Sequence, residues 1–96
     1  MNTAETLAHR RSEILALARR YGIRRIRVFG STARGDAHAR SDIDFLVDPG
    51  PDVSIFDLGG FQLELQMLLG CQVDVVTEKG LRSRIRKQVL DEAVPL

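Results

Sequence analysis

The sequence predicts an α/β chain, a small β-sheet with helices packed against it. Apolar residues switch along the chain between helical spacing and strict alternation, in the order α-β-(α)-β-α-β-α. Glycine and proline punctuate the joints, at Gly22, Gly30, Gly35, Pro49-Gly50-Pro51, Gly70 and Gly80. The chain has 96 residues, 44% hydrophobic and 28% charged, which suits one modest core and argues against disorder. The expected organisation is a single domain over residues 1–96. Two independent domains, a solenoid or a barrel enzyme need a longer chain.

The elements follow in order. Asn2 with Glu5 three residues on makes a capping box for a first helix. Leu7, Ile14, Leu15 and Ala18 continue it at helical spacing, and Gly22 stops it after Tyr21, a core or edge residue at the helix end. Ile23–Phe29 alternates as a strand, with Ile26 and Val28 on one face and Arg25 and Arg27 on the other. Gly30 to Gly35 is a turn able to open a short helix at Ser31. Asp42 to Val47 reads as the second strand, ended by Pro49, Gly50 and Pro51. Ser54 followed by Asp57 marks another N-cap. Ile55, Leu58, Leu65 and Leu69 form the expected buried stripe of that helix, Met67 and Leu68 join the core, and Gly70 closes it. Gln72 to Val76 is a short third strand. A last helix runs from about Leu81 to Glu92 with Ile85 and Val89 inward.

The net charge is only +1, but it is unevenly spread. Residues 1–41 carry nine Arg and three acids, residues 42–78 carry eight acids and no Lys or Arg, and residues 79–96 carry five basic and two acidic residues. A middle block of net −8 between flanks of +6 and +3 is a first hint of a cation site, and equally describes plain surface charge. Cys71 is the only cysteine, so no internal disulfide forms. No apolar run approaches the roughly 18 residues of a membrane span. Glu5, His9, Arg10 and Arg11 interrupt any signal-peptide core. The expected location is the cytoplasm. Aromatic content of 5% with no Trp leaves few stacking platforms, so direct nucleic-acid binding is not expected.

Three places carry possible chemistry. Asp42-Ile43-Asp44 opens a strand, so its two carboxylates share one face, about 6.5–7 Å apart at Cα. They repel unless a cation neutralises them, and Mg²⁺ is the natural choice because it takes oxygen ligands and keeps waters that phosphate can replace. Alone, the pattern also describes a solvated strand edge. Asp74 stands in the otherwise apolar Val73-Asp74-Val75-Val76, where a charge is costly unless paired, metal-bound or on an open face. Beside the first strand it would complete three carboxylates, a set that suits two ions about 3.5–4 Å apart. On an edge strand it would simply face water. Gly30-Ser31 follows a strand end and offers close backbone approach and N–H donors to a phosphate, or merely an ordinary capped turn.

Look-alike motifs fail on single residues. Gly30-Ser-Thr-Ala-Arg-Gly35 has P-loop glycine spacing, but Asp36 stands where Lys is required. Thr32 breaks the G-x-G-x-x-G pattern. An EF-hand would need an oxygen ligand at Leu46 and Gly at Val47. A haloacid-dehalogenase D-x-D ends an apolar strand, whereas this one begins it.

The full string, Gly30-Ser31, ten residues, Asp42-x-Asp44 and a later strand Asp74, resembles the signature of the polymerase-beta-like nucleotidyltransferase superfamily. Val28-Phe-Gly-Ser-Thr-Ala-Arg-Gly-Asp-Ala37, Ser41-Asp-Ile-Asp-Phe-Leu-Val47 and Val73-Asp-Val-Val-Thr-Glu-Lys-Gly-Leu81 are similar to the minimal nucleotidyltransferase (MNT) family. The resemblance covers about residues 20–94 and shows no substantive departure. It implies a small mixed sheet flanked by helices. Such proteins are commonly antitoxins paired with a HEPN-domain ribonuclease toxin, and members transfer AMP from ATP to a tyrosine of that toxin. By this resemblance Gly30 and Ser31 hold the triphosphate, with Arg34 and Arg40 able to contact phosphates. Asp42, Asp44 and Asp74 hold Mg²⁺, in a two-metal site, and Asp74 helps activate the attacking hydroxyl. A hetero-oligomer with the toxin is implied. The alternatives are an antitoxin that acts by occlusion alone and a small-molecule nucleotidyltransferase of the aminoglycoside type. The second usually needs a further helical region to hold its acceptor. His9, His38 and the basic residues of the last helix, Arg82, Arg84, Arg86 and Lys87, read most simply as solvated surface.

Overall fold

The computed structural model describes residues 3–35 and 42–96. The described elements are α1 (Thr3–Arg20), β1 (Ile23–Phe29), α2 (Ser31–Arg34), β2 (Ile43–Pro49), α3 (Ile55–Leu69), β3 (Val73–Thr77), α4 (Ser83–Glu92) and β4 (Val94–Pro95). The strands make one sheet in the order β3-β2-β1-β4. β1 is antiparallel to β2 and β4, and β3 is parallel to β2, so the sheet is mixed. A parallel neighbour requires a crossover, and α3 supplies it. Asn2, His38 and Arg40 lie outside the described residues.

Helices α1 and α3 cover one face. Leu7, Ile14, Leu17, Ala18, Phe61 and Leu65 pack there against Ile26, Val28, Ile43, Phe45, Val47 and Val73. On the other face Leu46 is sealed by Leu81 and by Val89 of α4. Phe45 and Leu46 are both 0% exposed, because adjacent strand residues point oppositely and β2 is covered on both sides. A bulge between Ile23 and Arg25 resets the alternation of β1, so Ile23 and Ile26 both face the core.

Local chemistry explains the ends. The capping box of α3 forms as read: the Asp57 N–H donates to Ser54 Oγ at 3.2 Å, and the Ser54 N–H donates to Asp57 Oδ2 at 2.8 Å. Gly70 closes the helix at φ 70°, in the left-handed region. Strand β2 outlasts the expected end at Val47 and runs to Pro49. Proline lacks an N–H, yet the Gly50 N–H bonds to the Gly22 carbonyl at 2.9 Å and holds the chain against β1. The fourth strand was not foreseen, because two residues after a helix offer no alternation to read.

Three apolar positions expected inside are exposed: Ile55 at 78%, Met67 at 75% and Ile85 at 39%. The inward stripe of α3 runs through Leu58, Phe61, Leu65 and Leu69. Met67 falls two residues from Leu65, about 200° around the helix. Ile55, in the first turn, borders a shallow groove with Val75 and Val76 instead of the core. Helix α4 seals only a narrow strip over Leu46, which Val89 and the preceding Leu81 suffice to fill.

Candidate active site

The sheet register brings the separated motifs together. Asp44 lies opposite Phe29 on its antiparallel side and directly beside Asp74 on its parallel side. Asp44 shares its sheet face with Leu46, so it opens on the α4 side, away from the main core. Asp44 is part-buried, while Asp74 and Asp42 are exposed, Asp42 standing immediately before β2.

Gly30 ends β1 at φ 72°, ψ −152°. Two facts demand glycine. That backbone conformation disfavours any side chain, and a Cβ here would collide with the Asp44 carboxylate. The turn therefore sets main chain directly against the acid. Ser31 and Arg34 begin and end the single turn of α2, and Gly35 caps it at φ 80°.

Crowding shows in the protonation of Asp44. Burial, followed by the neighbouring Asp74 charge, a hydrogen bond with Asp74 and the Asp42 charge, pushes its pKa from 3.8 up to about 6, with Arg34 pulling the other way. Burial and then Asp42 also raise the Cys71 thiol. Clustered carboxylate oxygens, crowded enough to hold a proton on Asp44, are the chemistry a hard divalent cation relieves. Among the described residues no three His, Cys, Asp or Glu side chains are already drawn into a metal cage; Asp44 and Asp74 are neighbours and Asp42 stands at the open end.

Glu92 was missed by sequence reasoning. Its Oε1 accepts from the Gly30 N–H at 2.5 Å and from Arg34 Nη1 at 2.9 Å. This carboxylate, 16% exposed, comes from the last turn of α4. A signal existed: an acid in a helix's last turn opposes the helix dipole and needs a compensating partner. The partners are the same N–H and guanidinium that the resemblance assigns to a triphosphate.

Clustered carboxylates beside a glycine turn, whose N–H already holds a carboxylate, suit an enzyme that handles a phosphate-bearing substrate. The chain belongs to the nucleotidyltransferase domain family, whose pattern it matches over residues 12–96, and it is a nucleotidyltransferase. It is similar to the protein adenylyltransferase MntA of Thermococcus cleftensis, with 44% identity over 78 residues, 81% of this chain and 79% of the relative. A solved structure described as a candidate minimal nucleotidyltransferase shares 48% identity at a TM-score of 0.87, covering 100% of this chain and 97% of that one. A toxin–antitoxin crystal structure with AMP-PNP shares the fold, at 24% identity and a TM-score of 0.74, over 88% of this chain and 69% of that one.

Proposed function

We propose that this chain is a protein adenylyltransferase antitoxin, which transfers AMP from ATP to a tyrosine of a cognate HEPN ribonuclease toxin in the cytoplasm. The observation that carries the reading is Asp44 set between the Gly30 main chain and Asp74. The relative named protein adenylyltransferase MntA and the toxin–antitoxin neighbour support the acceptor class. So do Ile55, Phe56, Leu63 and Met67, which leave an apolar surface of α3 in solvent, the kind of patch that marks a protein interface.

In this reading Asp42, Asp44 and Asp74 hold Mg²⁺, which when bound neutralises phosphate charge and orients the reacting groups. The Gly30 N–H, Ser31 and Arg34 grip the triphosphate after Glu92 yields its place. The tyrosyl oxygen bonds to the α-phosphorus, the bond to the bridging oxygen breaks, and diphosphate leaves. Asp74 takes the phenolic proton. Nucleotidyl transfer depends mainly on such positioning and charge neutralisation.

The test is intact mass spectrometry of the co-expressed toxin. AMP increments are expected with the wild-type chain and none with Asp42→Asn/Asp44→Asn. Modification by the double variant would refute the site; an unmodified but neutralised toxin with the wild-type chain would refute the activity.

A further inference from the structure

The end of the sheet remote from Asp44 holds a second polar cleft. It encloses about 620 Å³ and is lined by Arg25, Arg27, Asp48, Lys79 and Arg86, with Glu78 beside them. Asp48 lies four residues along β2 from Asp44, about 13 Å, and the buried Leu46–Leu81–Val89 cluster stands between. The cleft is therefore separate from the candidate active site.

Two of its guanidinium groups carry an unpartnered buried nitrogen, the Nε atoms of Arg27 and Arg86. Arg86 spends one Nη2 on the Leu81 carbonyl at 3.1 Å. Among the described residues, none of the four cations is in an ion pair, although Asp48 and Glu78 line the same space. Guanidinium does not discharge to escape burial, and an unsatisfied buried donor is costly. Four positive charges face two negative ones, a surplus that a single carboxylate would not neutralise.

We propose that this cleft is an anion site for a phosphate-class ligand, either inorganic diphosphate or the polyphosphate of a nucleotide. Arginine forks on two elements, β1 and α4, match phosphate oxygens bidentately, and the volume fits a small molecule. The lysine and the third arginine supply further charge at the mouth. The inference rests on residues outside the adenylylation site and stands or falls separately from it.

Calorimetry on the full chain in EDTA, with inorganic diphosphate and with ATP as probes, tests it. Saturable diphosphate binding is expected, weakened about tenfold or more by Arg86→Gln and by Arg25→Gln/Lys79→Gln and retained by Arg34→Gln; ATP is titrated in the Arg34→Gln background, where the grip of the candidate active site on the triphosphate is weakened. The double variant lies at exposed positions and preserves the test if Arg86→Gln fails to fold. In the Arg34→Gln background, equal affinity for the two probes identifies phosphate alone as the determinant, and tighter ATP binding that the cleft variants abolish identifies a nucleotide. Absence of saturable binding for both probes, or an affinity that follows Arg34 and ignores the cleft variants, overturns the proposal.

Discussion

Replacing Asp44 with Asn should stabilise the protein while abolishing its activity. The side chain keeps its shape, and its amide still donates to Asp74, but the crowded charge is gone. The rise of the Asp44 pKa from 3.8 to about 6 corresponds to at most about 3 kcal/mol, taking about 1.4 kcal/mol per pH unit. Asp44 is only part-buried, and solvent screening brings the expected gain to about 1 kcal/mol, roughly 4–8 °C in Tm for a chain of this size. The sign follows from proton linkage. The folded state holds the Asp44 proton more tightly than the unfolded state, so wild-type stability falls as pH rises from about 4 to about 6. The variant's advantage is therefore full at pH 7.5 and vanishes near pH 4. Thermal and urea unfolding in EDTA at both pH values would measure it, and millimolar Mg²⁺ should narrow the gap at pH 7.5. A variant less stable than wild type at pH 7.5, or one equally stabilised at pH 4, would refute the reasoning.

Gly30→Ala places a side chain at positive φ and against the Asp44 carboxylate; it should cost about 1–2 kcal/mol in urea unfolding and lower nucleotidyl transfer about a hundredfold or more. Glu92→Gln weakens the internal competitor for Gly30 and Arg34, and steady-state kinetics should show a KM for ATP reduced roughly fivefold with kcat little changed; a raised KM would mean that Glu92 serves to hold Arg34 in place. Ser54→Ala removes the α3 capping box and should cost about 1 kcal/mol with the KM for ATP unaltered, since the cap is remote from Asp44.

Local signals in the sequence were strong wherever one residue type had one physical use. Ile23–Phe29 was bounded correctly because Gly22 and Gly30 bracket it, although the bulge after Ile23 breaks its alternation. The Ser54–Asp57 box needed no tertiary information. The pairing of Asp44 with Asp74 was legible only as a condition, that the two strands be adjacent, and the parallel register meets it. What failed was the choice of face on an element apolar nearly all round. Helix α3 offers Ile55, Phe56, Leu63 and Met67 as well as its buried Phe61 and Leu65, and only packing against β3 and α1 decides between them. The Glu92 contact failed for another reason. It joins residues 62 positions apart, and no local pattern reports such a meeting.

The uneven charge along the chain takes a definite form in space. Acids from the middle block meet at the start of β2 and β3, where Asp44 and Asp74 pair. Arg34 from the first block approaches them, and Glu92 from the last block holds that arginine. At the far end of the same strands, Arg25 and Arg27 from the first block join Lys79 and Arg86 from the last. One sheet face thus carries a negative end and a positive end, with Leu46, Leu81 and Val89 as the dry partition. Like charges gathered at either end cost folding energy unless something of opposite sign binds there. The proposed cation at one end and the proposed anion at the other would each relieve that cost, and each end can be probed alone because the apolar partition keeps their residues apart.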